Sequence, residues 1–82
     1  MPISAQIAVY PLRQERLTPS IEAVQHALLA HSLKPESGPM STYVVGDDQA
    51  VFAALQEAFS RASNIGHVVM TVTVSNACPI PD

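Results

Sequence analysis

Charge is scarce in this chain. Asp, Glu, Lys and Arg make up only 13% of its 82 residues, roughly half the usual ~25% for a soluble domain. The four basic residues, Arg13, Arg16, Lys34 and Arg61, are scattered, and the net charge is −3. Without a basic stripe the chain lacks the electrostatic footprint of a nucleic-acid binder. Tryptophan is absent and cysteine occurs once, as Cys78. One thiol excludes an internal disulfide, and no histidine stands at zinc-ligand spacing from it. Long hydrophobic runs are missing too, so no membrane-spanning helix is expected. No charged segment followed by an apolar run opens the chain, so no signal peptide is expected. A reducing, cytoplasmic setting is the resulting expectation.

What is present is apolar. Hydrophobic residues reach 48%, too many for a disordered segment. Residues 1–82 are expected to form a single domain. A chain this short buries only about 60–65% of its unfolded surface, so its core is small. Few charges and a small core together predict a surface covered by another copy, hence a homo-oligomer.

The most informative stretch is residues 67–79. Val68, Met70, Val72 and Val74 alternate with His67, Thr71, Thr73 and Ser75, with Val69 out of phase. Period two sends one set to each face of a sheet. An earlier run repeats the pattern: Ile3, Ala5, Ile7 and Val9 alternate with Ser4, Gln6, Ala8 and Tyr10, stopping at Pro11. Thr18-Pro19 reads as an N-cap with proline at the first helical position. Ile21, Val24 and Leu28 then follow at helical spacing, beside Ala27 and His31, to an expected end near Ser32. Residues 34–38 read as a short irregular strand and residues 40–45 as a better one, rich in β-branched and aromatic side chains. Gly46-Asp47-Asp48 ends that strand and supplies the next N-cap. Val51, Phe52, Leu55, Phe59 and Ala62 form the expected apolar stripe of a second helix. Glu57 and Arg61 lie four apart on its exposed side, and Asn64-Ile65-Gly66 stops it.

The order is β-α-β-β-α-β. Two right-handed βαβ crossovers on one sheet give an α+β ferredoxin-like sandwich: a four-stranded antiparallel sheet with two helices on one face. Ile7, Val9, Leu28, Phe52, Leu55, Phe59 and Val72 are the expected core. The opposite face should show Ser4, Gln6, Ala8, Tyr10, Thr71, Thr73 and Ser75, a surface suited to a partner or a ligand.

Catalytic constellations are thin. His26 and His31 lie about 140° apart around a helix, which suits surface or packing roles. Cys78 needs a base to become a nucleophile, and His67 would stand ~35 Å away along an extended strand. Asp47-Asp48 is sufficiently explained as an N-cap at a helix dipole. No metal set is apparent. Gly38-Pro39-Met40-Ser41-Thr42 reads as a hairpin turn, and equally as hydroxyls and a thioether lining a small-molecule site. Tyr10 is an edge aromatic or a stacking surface for a heteroaromatic ring. Asn76 is a strand-end residue or a donor–acceptor pair for an aminopyrimidine edge.

These segments together resemble a known family. Residues 4–12 (Ser-Ala-Gln-Ile-Ala-Val-Tyr-Pro-Leu), the Gly38 to Thr42 turn, Val45-Gly46-Asp47, residues 67–70 and Ser75-Asn76-Ala77-Cys78-Pro79 are similar to the thiamine-binding YkoF-like family and to related small thiamine-binding proteins. The resemblance covers nearly the whole chain in the same motif order. It implies a ferredoxin-like fold, no catalysis and no cofactor. It implies binding of thiamine or its hydroxymethylpyrimidine part as ligand, and pairing of domains as tandem repeats, homodimers or homotetramers. By matching position, ligand contact falls on Tyr10, Ser41, Thr42 and Asn76, and also on Gln6 and Met40. This chain holds one repeat, so a site built from two would need a second copy. It stops three residues after Pro79, where relatives run on, so a contact from that extension is expected to be missing. The resulting function is a carrier, buffer or sensor of thiamine. The contrasting function is an oligomeric structural or regulatory module of the same fold without a ligand.

Overall fold

A computed structural model describes residues 1–13, 16, 18–38 and 41–77. The elements run β1 (Pro2–Pro11), α1 (Thr18–Ala30), β2 (Glu36–Ser37), β3 (Thr42–Asp47), α2 (Asp48–Ile65) and β4 (Val68–Ser75). The strands form one antiparallel sheet in the order β2-β3-β1-β4. The expected α+β sandwich is therefore the observed one. Met40, Cys78 and Pro79, which carried expectations above, lie outside the described residues.

The register explains the core. Ile7 stands between Thr42 and Val72, and Ala5 between Val44 and Val74. These residues share the helix-bearing face, and Ile3, Ala5, Ile7 and Val44 are buried. Val9, Val68, Met70 and Val72 pack against them as partly covered neighbours. On the other face Gln6 stands between Tyr43 and Thr73, and Gln6, Tyr10, Thr71 and Thr73 are exposed. Ser4 departs from expectation. It is buried, and its hydroxyl donates to the Ser75 carbonyl at 3.4 Å.

Both helices cover one face and lie against each other. The apolar stripe of α2 is Val51, Ala54, Leu55, Ala58 and Ala62. The expectation that Phe52 and Phe59 belong to the core is wrong: they are 55% and 45% exposed. The alanines recur every fourth residue on one line, and small side chains let a neighbouring backbone approach closely. Two phenyl rings there would hold the layers apart, so the rings turn outward.

The end of α1 is built from backbone geometry. Ser32 adopts φ 62°. The Leu33 N–H donates to the Leu28 carbonyl at 3.0 Å, and the Ser32 N–H to the Leu29 carbonyl at 3.0 Å. This pair of bonds is the Schellman cap, here with serine where glycine is usual. Leu33, just past the cap, returns into the core beside Leu28. His31 then bonds Glu57 at 3.2 Å, and Glu57 pairs with Arg61 at 2.6 Å, tying α1 to α2.

Asp47 caps α2, accepting from the Gln49 N–H at 3.2 Å. The α-amino group of Met1 reaches Asp47 at 3.0 Å and Asp48 at 3.2 Å. The hydrogen bond from this ammonium holds the Asp47 carboxyl below its ordinary pKa, and the same contact raises the amine. The expected N-cap is thus confirmed, and both carboxylates have structural partners.

Candidate functional site

Strand β1 outruns β3. Its pairing with β3 ends at Ile7, whereas its pairing with β4 continues to Pro11. The last residues of β1 therefore have no strand on the β3 side. Helix α1 begins beside this gap. The result is a cleft of about 280 Å³. Its apolar wall is Ile7, Val9, Ile21 and Val24, and its rim is Tyr10, Pro11, Ser37, Gly38, Ser41 and Thr42.

The two serines of the rim are positioned by specific bonds. Gly38 and Ser41 face each other across the turn between β2 and β3, with the Gly38 N–H donating to the Ser41 carbonyl at 2.7 Å. This fixes Ser41 beside the end of β1. Gln6 then donates through Nε2 to the Ser41 hydroxyl at 3.1 Å. That hydroxyl keeps its own proton for another acceptor. On the far side, Gln25 of α1 donates to the Ser37 hydroxyl at 2.7 Å, lashing the helix to the short edge strand. Thr42, also on the rim, is buried. Tyr10 is half exposed at the mouth.

The arrangement has a definite chemical character: an apolar cleft with an aromatic ring at its mouth and hydroxyls along one rim. Such a site takes a small, flat, largely apolar group with a hydrogen-bonding edge. Among the described residues no cluster of three or more His, Cys, Asp or Glu is placed to hold a metal ion.

Three of the residues singled out in the sequence meet here: Tyr10, Ser41 and Thr42. Gln6 joins them through Ser41. Asn76 does not. It follows Ser75, which pairs with Ser4 near the start of β1, and its amide lies 3.7 Å from the Met1 sulfur. Tyr10 is six residues further along β1, roughly 20 Å away at the rise of a strand. The sequence alone places Ile21 and Val24 only on the apolar face of α1. The signal that they form a wall lies in the chain order: α1 must start where β1 outruns β3, so its first turns face a gap instead of a strand.

Four antiparallel strands carrying two helices on one face, with a cleft at one sheet corner, define a small ferredoxin-like α+β domain. The chain belongs to the YkoF-related family, whose model matches residues 3–81. Solved structures share the fold. A Streptococcus pneumoniae protein superposes with a TM-score of 0.83 at 23% identity, covering 92% of this chain and 86% of that one. A hypothetical protein from Methanocaldococcus jannaschii gives 0.85 at 21% identity, covering 98% and 84%. A Thermotoga maritima protein provisionally assigned to thiamine biosynthesis or salvage gives 0.78 at 20% identity, covering 90% and 82%. No curated protein matches the sequence.

Proposed function

We propose that this domain is a non-enzymatic binding protein for thiamine or its hydroxymethylpyrimidine part, acting in the cytoplasm as a carrier, buffer or sensor in thiamine uptake or salvage. The observation that carries this reading is the cleft at the end of β1. An aminopyrimidine has two apolar faces and an edge of alternating donors and acceptors. The Ile7, Val9, Ile21 and Val24 wall suits the faces, and Tyr10 suits stacking. Ser41 and Thr42 suit the edge, each offering a donor and an acceptor. Membership of the YkoF-related family, and the thiamine assignment of one structural neighbour, support the same choice of ligand.

The non-enzymatic part rests on the composition of the rim. Among the described residues it holds serines, a threonine, a tyrosine, a proline and a glycine, with no histidine, carboxylate or amine among them. General acid–base chemistry near neutral pH draws on those missing groups. No helix among the described residues is long and apolar enough to cross a membrane. The domain is proposed to work as a homodimer or homotetramer, without a cofactor and without nucleic acid.

Calorimetric titration with thiamine, its phosphates and hydroxymethylpyrimidine tests the reading. Saturable heat with thiamine or the free pyrimidine is expected, weakened about 5- to 150-fold by Thr42→Val, the range for losing one hydrogen bond to a buried polar group. Absence of heat with every one of these compounds at millimolar excess overturns the ligand. It would leave an interaction module of the same fold.

A further inference from the structure

The end of β1 brings backbone groups to the cleft as well as side chains, and the register fixes where they point. In an antiparallel sheet, alternate residues of a central strand bond to the neighbour on one side and then on the other. Two bonds set the phase of β1. The Asp48 N–H donates to the Met1 carbonyl at 2.9 Å, on the β3 side. The Leu12 N–H donates to the His67 carbonyl at 2.8 Å, on the β4 side. Odd-numbered residues of β1 therefore turn their N–H and C=O toward β3, and even-numbered ones toward β4. The prolines of the strand agree. Pro2 is even and stands before the first pair with β4, at Ser4, whereas Pro11 is odd and stands beyond the last pair with β3, at Ile7. Each places its missing N–H on a side where no pair is formed, as proline in a sheet must.

Val9 is the next odd residue after Ile7. Its N–H and C=O point in the plane of the sheet into the gap where β3 has ended, and among the described residues no strand partner stands there. Val9 is half-buried and lines the cleft. A backbone donor withdrawn from water without a partner costs free energy, so this position favours a ligand that supplies an acceptor. Both groups belong to one residue, a donor and an acceptor side by side in one plane. Their complement is a flat ring carrying an amine next to an unprotonated ring nitrogen. The ring nitrogen accepts from the N–H while the amine donates to the carbonyl.

Resting on the ligand reading above, we propose that the Val9 main chain reads the amine-bearing edge of the pyrimidine, with the ring taking the place of the strand residue missing beside β1. The ring lies in the sheet plane at about one strand spacing, ~4.8 Å, from β1. One of its faces turns to Ile21 and Val24 on the helix side. Tyr10 stands on the opposite sheet face and covers the other. The second ring nitrogen is left for the Ser41 hydroxyl, which accepts from Gln6 and keeps its own proton to donate. Specificity then comes from the order of donor and acceptor along a strand edge, which no side-chain substitution removes.

The Val9 amide reports on this directly. In isotope-labelled wild-type protein, its proton signal is expected to move downfield and to saturate with hydroxymethylpyrimidine at the affinity that calorimetry gives. Removing the donor by Val9→Pro should weaken binding about 5- to 150-fold, the range for one lost hydrogen bond, and Val9→Ala, which keeps the N–H, should weaken it less. The sheet should accept the proline, since Pro11 already stands in the same phase of the same strand. A pyrimidine without its amine should bind the wild type more weakly by the same 5- to 150-fold. Saturable heat with hydroxymethylpyrimidine but an unmoved Val9 amide overturns the proposal and leaves the ligand reading standing. If hydroxymethylpyrimidine gives no heat while adenine, another ring with an amine beside a ring nitrogen, moves the Val9 amide saturably, the edge recognition stands and the thiamine reading alone falls. If neither compound moves it, both fall.

Discussion

Leu33 lies directly over Gly46. A Cβ placed on Gly46 would stand 2.5 Å from Leu33 Cδ2 and 3.5 Å from Val51 Cγ2. The contact links the cap of α1 to the end of β3, where the chain turns into α2. Gly46 is there for space, not for an unusual φ. Gly46→Ala should therefore destabilise the fold by about 1–3 kcal/mol, the usual cost of forcing a methyl group into a packed core. Urea denaturation measures it, and a neutral result would mean that Leu33 has room to swing aside.

The cap that delivers Leu33 carries its own cost. Ser32 sits in the left-handed region, at φ 62°, where a Cβ crowds the following carbonyl. Ser32→Gly should raise stability by about 0.5 kcal/mol, the strain relieved less the entropy glycine gains in the unfolded chain. A thermal melt of the variant checks the sign.

Helix α2 gives an opposing pair. Phe59 is half exposed and Ala58 is fully buried. Phe59→Ala should cost no more than about 1 kcal/mol, well below the ~3–5 kcal/mol of a buried phenylalanine. Ala58→Leu should cost about 1–3 kcal/mol or more, because it overpacks a fixed gap. If denaturation reverses that ranking, the buried face of α2 is assigned wrongly.

The strands were far more legible in the sequence than the helix faces. Period two places Ile3, Ala5 and Ile7 on the core face, because a one-residue error turns every side chain to the opposite face. The stripe of α2 was misread because large apolar residues were favoured over small ones. Val51, Leu55 and Ala62 are common to the expected and observed stripes. Ala54 and Ala58 displace Phe52 and Phe59, since helices packing closely need small contacts. The Schellman cap escaped notice because serine replaces its signature glycine. At the site, Tyr10, Ser41 and Thr42 come together as hydrophilic and planar groups at strand ends should. Asn76 is also at a strand end, but at the other end of the sheet. Strand-end position is readable from sequence, whereas which end is shared depends on register.

The Asp47 carboxyl should contribute a modest part of the acid limb of stability, since the pair is exposed. Its pKa is held low in the folded chain by the Met1 ammonium. A group depressed on folding stabilises above its unfolded pKa and loses that contribution as pH falls through its folded one. Melting temperature should thus drop as pH falls through and below the ordinary carboxylate range. Asp47→Asn keeps a good N-cap but removes the charge, so its acid limb should be flatter than that of the wild type. Parallel limbs for the two proteins would assign the acid sensitivity elsewhere.

The central claim is that a pyrimidine ring enters the cleft between the end of β1 and the start of α1. Titration of isotope-labelled protein with hydroxymethylpyrimidine, followed through backbone amide chemical shifts, tests it most directly. The predicted result is saturable shifts concentrated at Ile7, Tyr10, Ile21, Ser41 and Thr42. Unmoved spectra at millimolar ligand, or shifts confined to Thr71 and Thr73 on the open sheet face, would contradict it.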